Sequence, residues 1–116
     1  MKMVSLESLI QALSPFGRVR ERRQQRRIYE PRLELNIEGH AYSTQDWSLG
    51  GFRLAYFHRR PAAYEVIAGR ILDVRSIRGG EFSAEVVRLE DSGEIGCRLL
   101  DITAATLMSM ANLKSH

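Results

Sequence analysis

Seven arginines (Arg18, Arg20, Arg22, Arg23, Arg26, Arg27 and Arg32) fall within one short stretch, and Asp46-Trp47-Ser48-Leu49-Gly50-Gly51 follows soon after. Planar guanidinium forks hold phosphates through paired N–H bonds and lie against flat bases. A carboxylate such as Asp46 accepts from the two adjacent donors of a guanine's N1–H and N2–H₂ edge, and the Ser48 hydroxyl adds one further bond to base or phosphate. Gly50 and Gly51, on a tight bend, suit a positive φ or a close approach of backbone to ligand. Together the two segments carry the chemistry of a site for an anionic, guanine-bearing ligand.

The rest of the composition narrows the class. The chain has 116 residues, enough for one domain, with 44% hydrophobic and 27% charged residues, the proportions of an ordinary globular fold. The formal net charge is +3, and Lys2 and Lys114 are the only lysines, so the basic side chains are those suited to directed hydrogen bonding. No apolar run approaches a membrane span, and the first residues lack a secretory signal, so no membrane insertion and a cytoplasmic location are expected. Cys97 is alone, which leaves no disulfide framework and no thiolate metal cluster. His40 falls on an expected turn and His58 in a loop, neither near Ser48 in sequence, and no metal spacing or paired carboxylates stand out. The expectation is a binding protein without catalytic residues, resident cofactor or metal.

The elements that must position these residues follow from periodicity. Leu6, Leu9, Ile10 and Leu13 recur at helical spacing after Ser5, which predicts a short helix over Ser5–Leu13 ended by Ser14-Pro15-Phe16-Gly17. Leu33, Leu35 and Ile37 alternate with polar residues, so a strand is expected, then a turn at Glu38-Gly39-His40 and a returning strand over Ala41–Gln45. Trp47, between Asp46 and Ser48, is expected in the core. After the bend at Asp46–Gly51, strands are expected over Phe52–Tyr56, Val66–Val74, Phe82–Leu89 and Ile95–Leu100, with turns at Gly79-Gly80 and Asp91-Ser92-Gly93. Arg53 and Arg98 read as ordinary surface arginines on these strands, with lining of the pocket as their other use. Thr103 to about Leu113 reads as a helix with Thr103 as N-cap; most of Leu107, Met108, Met110 and Leu113 are expected in the core, with a dimer seam as the other use of that face.

The order of an Arg-x-x-x-Arg arm, a hairpin, Asp46-x-Ser48-x-x-Gly51, further strands and a terminal helix resembles the PilZ domain, a bacterial receptor module for cyclic di-GMP. Glu94-Ile95-Gly96-Cys97-Arg98-Leu99-Leu100-Asp101-Ile102 is similar to that family's last strand. Arg18-x-x-x-Arg22, Arg22-x-x-x-Arg26 and Arg23-x-x-x-Arg27 all fit the first motif; Glu21-Arg22-Arg23-Gln24 favours the last, while a short gap from Arg27 to Asp46 keeps Arg22 and Arg26 open. The resemblance, which covers about Glu21 to Leu113, implies a mainly β fold: a six-stranded antiparallel barrel with a C-terminal helix, to which the periodicity of the first residues adds a short N-terminal helix. Residues 1–17 would be a helical extension, 18–32 the ligand-binding arm, and 33–116 the barrel with its helix. It further implies that Arg22, Arg23, Arg26, Arg27, Asp46, Ser48, Gly50 and Gly51 bind cyclic di-GMP, and that the arm orders on binding and signals through an unidentified protein partner, the receptor being monomer or homodimer.

Two other classes fit less of the sequence. A small nucleic-acid-binding barrel would use the basic arm, but Glu21, Glu30, Glu34 and Glu38 oppose a phosphate track and the aromatics form no single stacking face. A degenerate PilZ module acting through protein contacts alone would have no need of the intact Asp46-x-Ser48-x-x-Gly51.

Overall fold

The computed structural model describes residues 3–6 and 26–114. The period-two segments form one antiparallel sheet of eight strands. They are β1 (Met3–Ser5), β2 (Glu34–Ile37), β3 (His40–Ser43), β4 (Asp46–Ser48), β5 (Gly51–Leu54), β6 (Val66–Ile71), β7 (Gly80–Leu89) and β8 (Ile95–Thr103). A helix, α1 (Ala104–Lys114), follows directly on β8. The order across the sheet is β3-β2-β6-β7-β8-β5-β4, with β1 paired to the far part of β8.

The sheet curls into a half-barrel because its two edges are one stretch of chain. Thr44 closes the β2–β3 ladder: its N–H donates to the Leu33 carbonyl and its hydroxyl accepts from the Leu33 N–H, both at 3.0 Å. At the next residue the partner changes, and the Gln45 N–H donates to the Arg53 carbonyl at 2.8 Å. The chain thus passes from one edge of the sheet to the other within two residues. Leu33, Leu35, Ile37, Trp47, Phe52, Leu54, Phe82, Val86 and Ile102 fill the concave side, with Leu6 joining them. Trp47 is fully buried, as its alternation suggests, and its indole N–H donates to the Pro31 carbonyl at 2.8 Å. Leu107 and Met110 seal the core from α1, and Leu113 packs against it, whereas Met108 faces outward.

Several expectations change. Among the described residues the strand count is eight rather than six, for two reasons. Met3–Ser5, expected to lead into a helix, pairs with Asp101–Thr103 and so belongs to the sheet. Asp46–Gly51, expected as a bend, is a second tight hairpin, β4 and β5, paired through Ser48 and Gly51. Of the expected Ser5–Leu13 helix, Leu6 is in helical conformation, directly after the strand, and the remainder lies outside the described residues. The strand expected to reach Val74 ends at Ile71, and the chain turns at Val74–Ile77 instead of at Gly79-Gly80, which leads into β7.

Candidate functional site

The hairpin β4–β5 sets the site. Its register places Asp46 opposite Arg53, Trp47 opposite Phe52 and Ser48 opposite Gly51. Asp46 is 0% exposed, and a buried carboxylate is costly unless its oxygens are fully engaged. Arg53 engages one of them with two N–H groups, from Nε at 2.7 Å and from Nη2. Arg27 donates to the other oxygen at 3.0 Å. The carboxylate raises the pKa of Arg53 above its ordinary value, chiefly through these hydrogen bonds. Arg27 is brought there by Ile28, which exchanges two backbone bonds with Trp47 at 2.7 and 3.0 Å and so covers the free edge of β4.

Beside this pair opens a cleft of about 220 Å³. Arg27, Ser48, Gly50, Gly51 and Arg53 form one side, and Val87, Arg88, Gly96 and Arg98 of β7 and β8 form the other. Four of the lining residues are arginines and none is acidic. The walls therefore carry guanidinium donors, the arrangement that draws an anion, with carboxylates only behind and beside them: Asp46 on Arg27 and Arg53, Glu94 on Arg53, Glu85 on Arg98 and, at 3.9 Å, Glu90 by Arg88. Cys97 also borders the cleft, but burial pushes its thiol up to about 12, so it stays protonated and is no nucleophile near neutral pH.

The eight residues singled out from sequence divide accordingly. Arg27, Ser48, Gly50 and Gly51 meet in the cleft wall. Asp46 lies behind the wall, with both oxygens held by arginines. Arg26 is exposed and is not part of the lining. Arg22 and Arg23 lie outside the described residues. Ser48 makes the local bond that turns favour, accepting from the Gly50 N–H at 3.2 Å, while its side chain faces the cleft. Neither Gly50 nor Gly51 has a positive φ. Gly51 is required for another reason: a Cβ there would stand 2.1 Å from the Cys97 carbonyl oxygen, so only glycine lets β5 lie this close to β8.

Arg53 and Arg98 take the less expected of their two readings. Both line the cleft rather than an ordinary strand surface, and Arg53 is the principal partner of Asp46. A signal for Arg53 was present: once Ser48 and Gly51 are read as flanking a two-residue turn, counting outward pairs Asp46 with Arg53. Arg88 and Arg98 had no such signal, because their place depends on how β7, β8 and β5 align. Among the described residues no helix is long and apolar enough to cross a membrane. In comparisons with known proteins, no family model matches the chain and no curated protein is similar to it.

Proposed function

We propose that the protein is a cyclic di-GMP receptor of PilZ type, cytoplasmic, acting through a protein partner. The observation that carries this reading is the acid-free cleft lined by four arginines, in which Arg27, Ser48, Gly50 and Gly51, chosen for nucleotide binding from sequence alone, stand together. Guanidinium forks are suited to phosphates and to the O6/N7 edge of guanine. The cleft is smaller than the roughly 300–1,000 Å³ of pockets that enclose a whole ligand. It suits one base or one phosphodiester, with the rest of a dinucleotide outside. The position of Arg27 favours Arg23-x-x-x-Arg27 as the working pair.

In this reading Asp46 acts first by holding Arg27 and Arg53 at the cleft. Accepting from a guanine edge would require one of them to move to a ligand phosphate, an exchange that couples binding to a shift of the arm. Catalysis has no part in the proposal, because its site is built of donors and lacks a nucleophile–base pair.

The test is calorimetric titration of the full chain with cyclic di-GMP, with GTP and cyclic di-AMP as controls. Guanine-selective binding at micromolar concentration or tighter, weakened about tenfold or more in Arg27→Ala, is the expected result. No binding by the wild-type protein would reject the receptor and leave the degenerate module or the nucleic-acid barrel, which salt-dependent titration with RNA and DNA separates.

A further inference from the structure

Val87 and Arg88 reach the cleft through an irregularity in the β7–β8 ladder. Val86 pairs with Cys97 and Arg88 with Gly96, so β7 uses two steps where β8 uses one. Such a bulge re-aims the side chains around its extra residue. Here Val87 and Arg88 both stand on the outer face and line the cleft, while Val86 is buried and Leu89 packs against the core. In a regular strand, consecutive side chains alternate and one of the two would point inward.

Gly96 lies between two arginines. It pairs with Arg53 on β5 and with Arg88 on β7, so the two arginines flank a strip of bare backbone. Strands flanking a common neighbour are roughly 9–10 Å apart, a span that a nucleotide unit bridges. Val87, 47% exposed, adds an apolar surface beside that strip. Of the four lining arginines, Arg88 is the least engaged: its side chain is 63% exposed and its nearest carboxylate, Glu90, is 3.9 Å away, against 2.8 Å for Arg98 and Glu85.

We propose that the β7 bulge is a second recognition element of the cleft, outside both sequence motifs. A purine nucleotide unit lies over Gly96 with Val87 against its base, and Arg88 donates to its phosphate or to its O6/N7 edge. The proposal rests on the nucleotide-receptor reading and adds the residues that grip the ligand from the side opposite the arm.

The experiment is titration with cyclic di-GMP of wild type, Arg88→Ala, Gly96→Ala and Arg70→Ala, with a thermal melt of each. Arg70 is exposed on β6 away from the cleft and removes the same charge. A Cβ at Gly96 would meet only the Arg88 Cβ, at 3.4 Å, so that variant folds while raising the cleft floor. Arg88→Ala and Gly96→Ala are expected to weaken binding about tenfold or more at unchanged melting temperature, with Arg70→Ala within about twofold of wild type. Wild-type affinity in Arg88→Ala and Gly96→Ala overturns the bulge proposal and leaves the receptor standing. Equal weakening in Arg70→Ala also overturns it, because the effect is then general charge. Silence of the wild-type protein itself overturns the receptor reading, and this proposal with it.

Discussion

Two hairpins of the molecule, β4–β5 and β2–β3, carry the same chemical pair, an acid with arginine, and use it in opposite ways. At β4–β5 one buried carboxylate, Asp46, is shared by two arginines. At β2–β3 one arginine, Arg59, is shared by two carboxylates: it donates to Glu38 at 2.9 and 2.7 Å and to Glu65 at 3.1 and 2.6 Å. In the first arrangement Arg53 also serves Glu94, at 3.4 Å, but Arg27 gives Asp46 a single bond and stays half exposed, which leaves guanidinium donors over for a ligand. The second uses them up, and Arg59 lies over the Phe57 ring besides. His58 completes that second cluster, with Nε2 2.8 Å from Glu38 and its backbone N–H donating to the Tyr42 hydroxyl at 2.9 Å. What separates the two clusters is Arg27, a half-exposed guanidinium that gives its acid one bond, against Arg59, which gives its two acids four.

Their glycines differ in the same instructive way. Glu38 and Gly39 have φ values of 55° and 84°, the left-handed pair of a two-residue turn, and a Cβ on Gly39 would meet open space. Gly51 has ordinary φ but no room. One glycine serves the backbone conformation and the other serves the packing of strands under the cleft.

The sharpest way to break the comparison is Gly51→Ala. The added methyl meets backbone that cannot turn aside, so a loss of about 3 kcal/mol or more is expected in chemical denaturation, with the cleft disrupted. Next comes Arg53→Ala, which leaves the buried Asp46 with Arg27 alone. A loss of about 2–3 kcal/mol is expected, below the full cost of stranding a buried charge because one partner stays. Asp46→Ala should cost less, since the two arginines it releases are part exposed and can turn to water; if it costs more than Arg53→Ala, the burial argument is wrong. Gly39→Ala strains only a left-handed φ and should cost about 1 kcal/mol, with nucleotide affinity unchanged.

The smallest effect is a titration. The Arg59 hydrogen bonds hold the Glu38 carboxyl at about 2, below its ordinary 4.5. The folded value is the lower one, so this contribution to stability is complete above the ordinary value and disappears as pH falls toward about 2. Carboxyl NMR should show Glu38 ionised throughout the range where ordinary glutamates protonate. In Arg59→Ala its midpoint should move up toward 4.5, with little change in stability near neutral pH, as expected of exposed ion pairs. A Glu38 midpoint unmoved by the substitution would show that Arg59 is not what sets it.

Local pattern by itself determined a good deal: the alternation of Leu33, Leu35 and Ile37, the turn at Glu38-Gly39, the burial of Trp47, the long strands ending in Ile95–Leu100, and a last helix entered after Thr103. It also marked Arg27, Ser48, Gly50 and Gly51 as residues with binding chemistry. These properties depend on neighbours a few residues away, and period and turn chemistry report such neighbours directly. Tertiary structure decided the rest. Ser5 lies in a strand because β8 extends past β5 and offers Asp101 as its partner, which no local signal announces. Gly51 is indispensable because of a carbonyl on Cys97, and Arg88 faces the cleft because β7 and β8 fall out of step by one residue. Asp46 holds arginines because the fold buries it completely, and an ion that has lost water takes whichever cations the register brings within reach. Side-chain type sets what a residue can do. Which partner it meets is set by strand alignment, a property of segments distant in sequence.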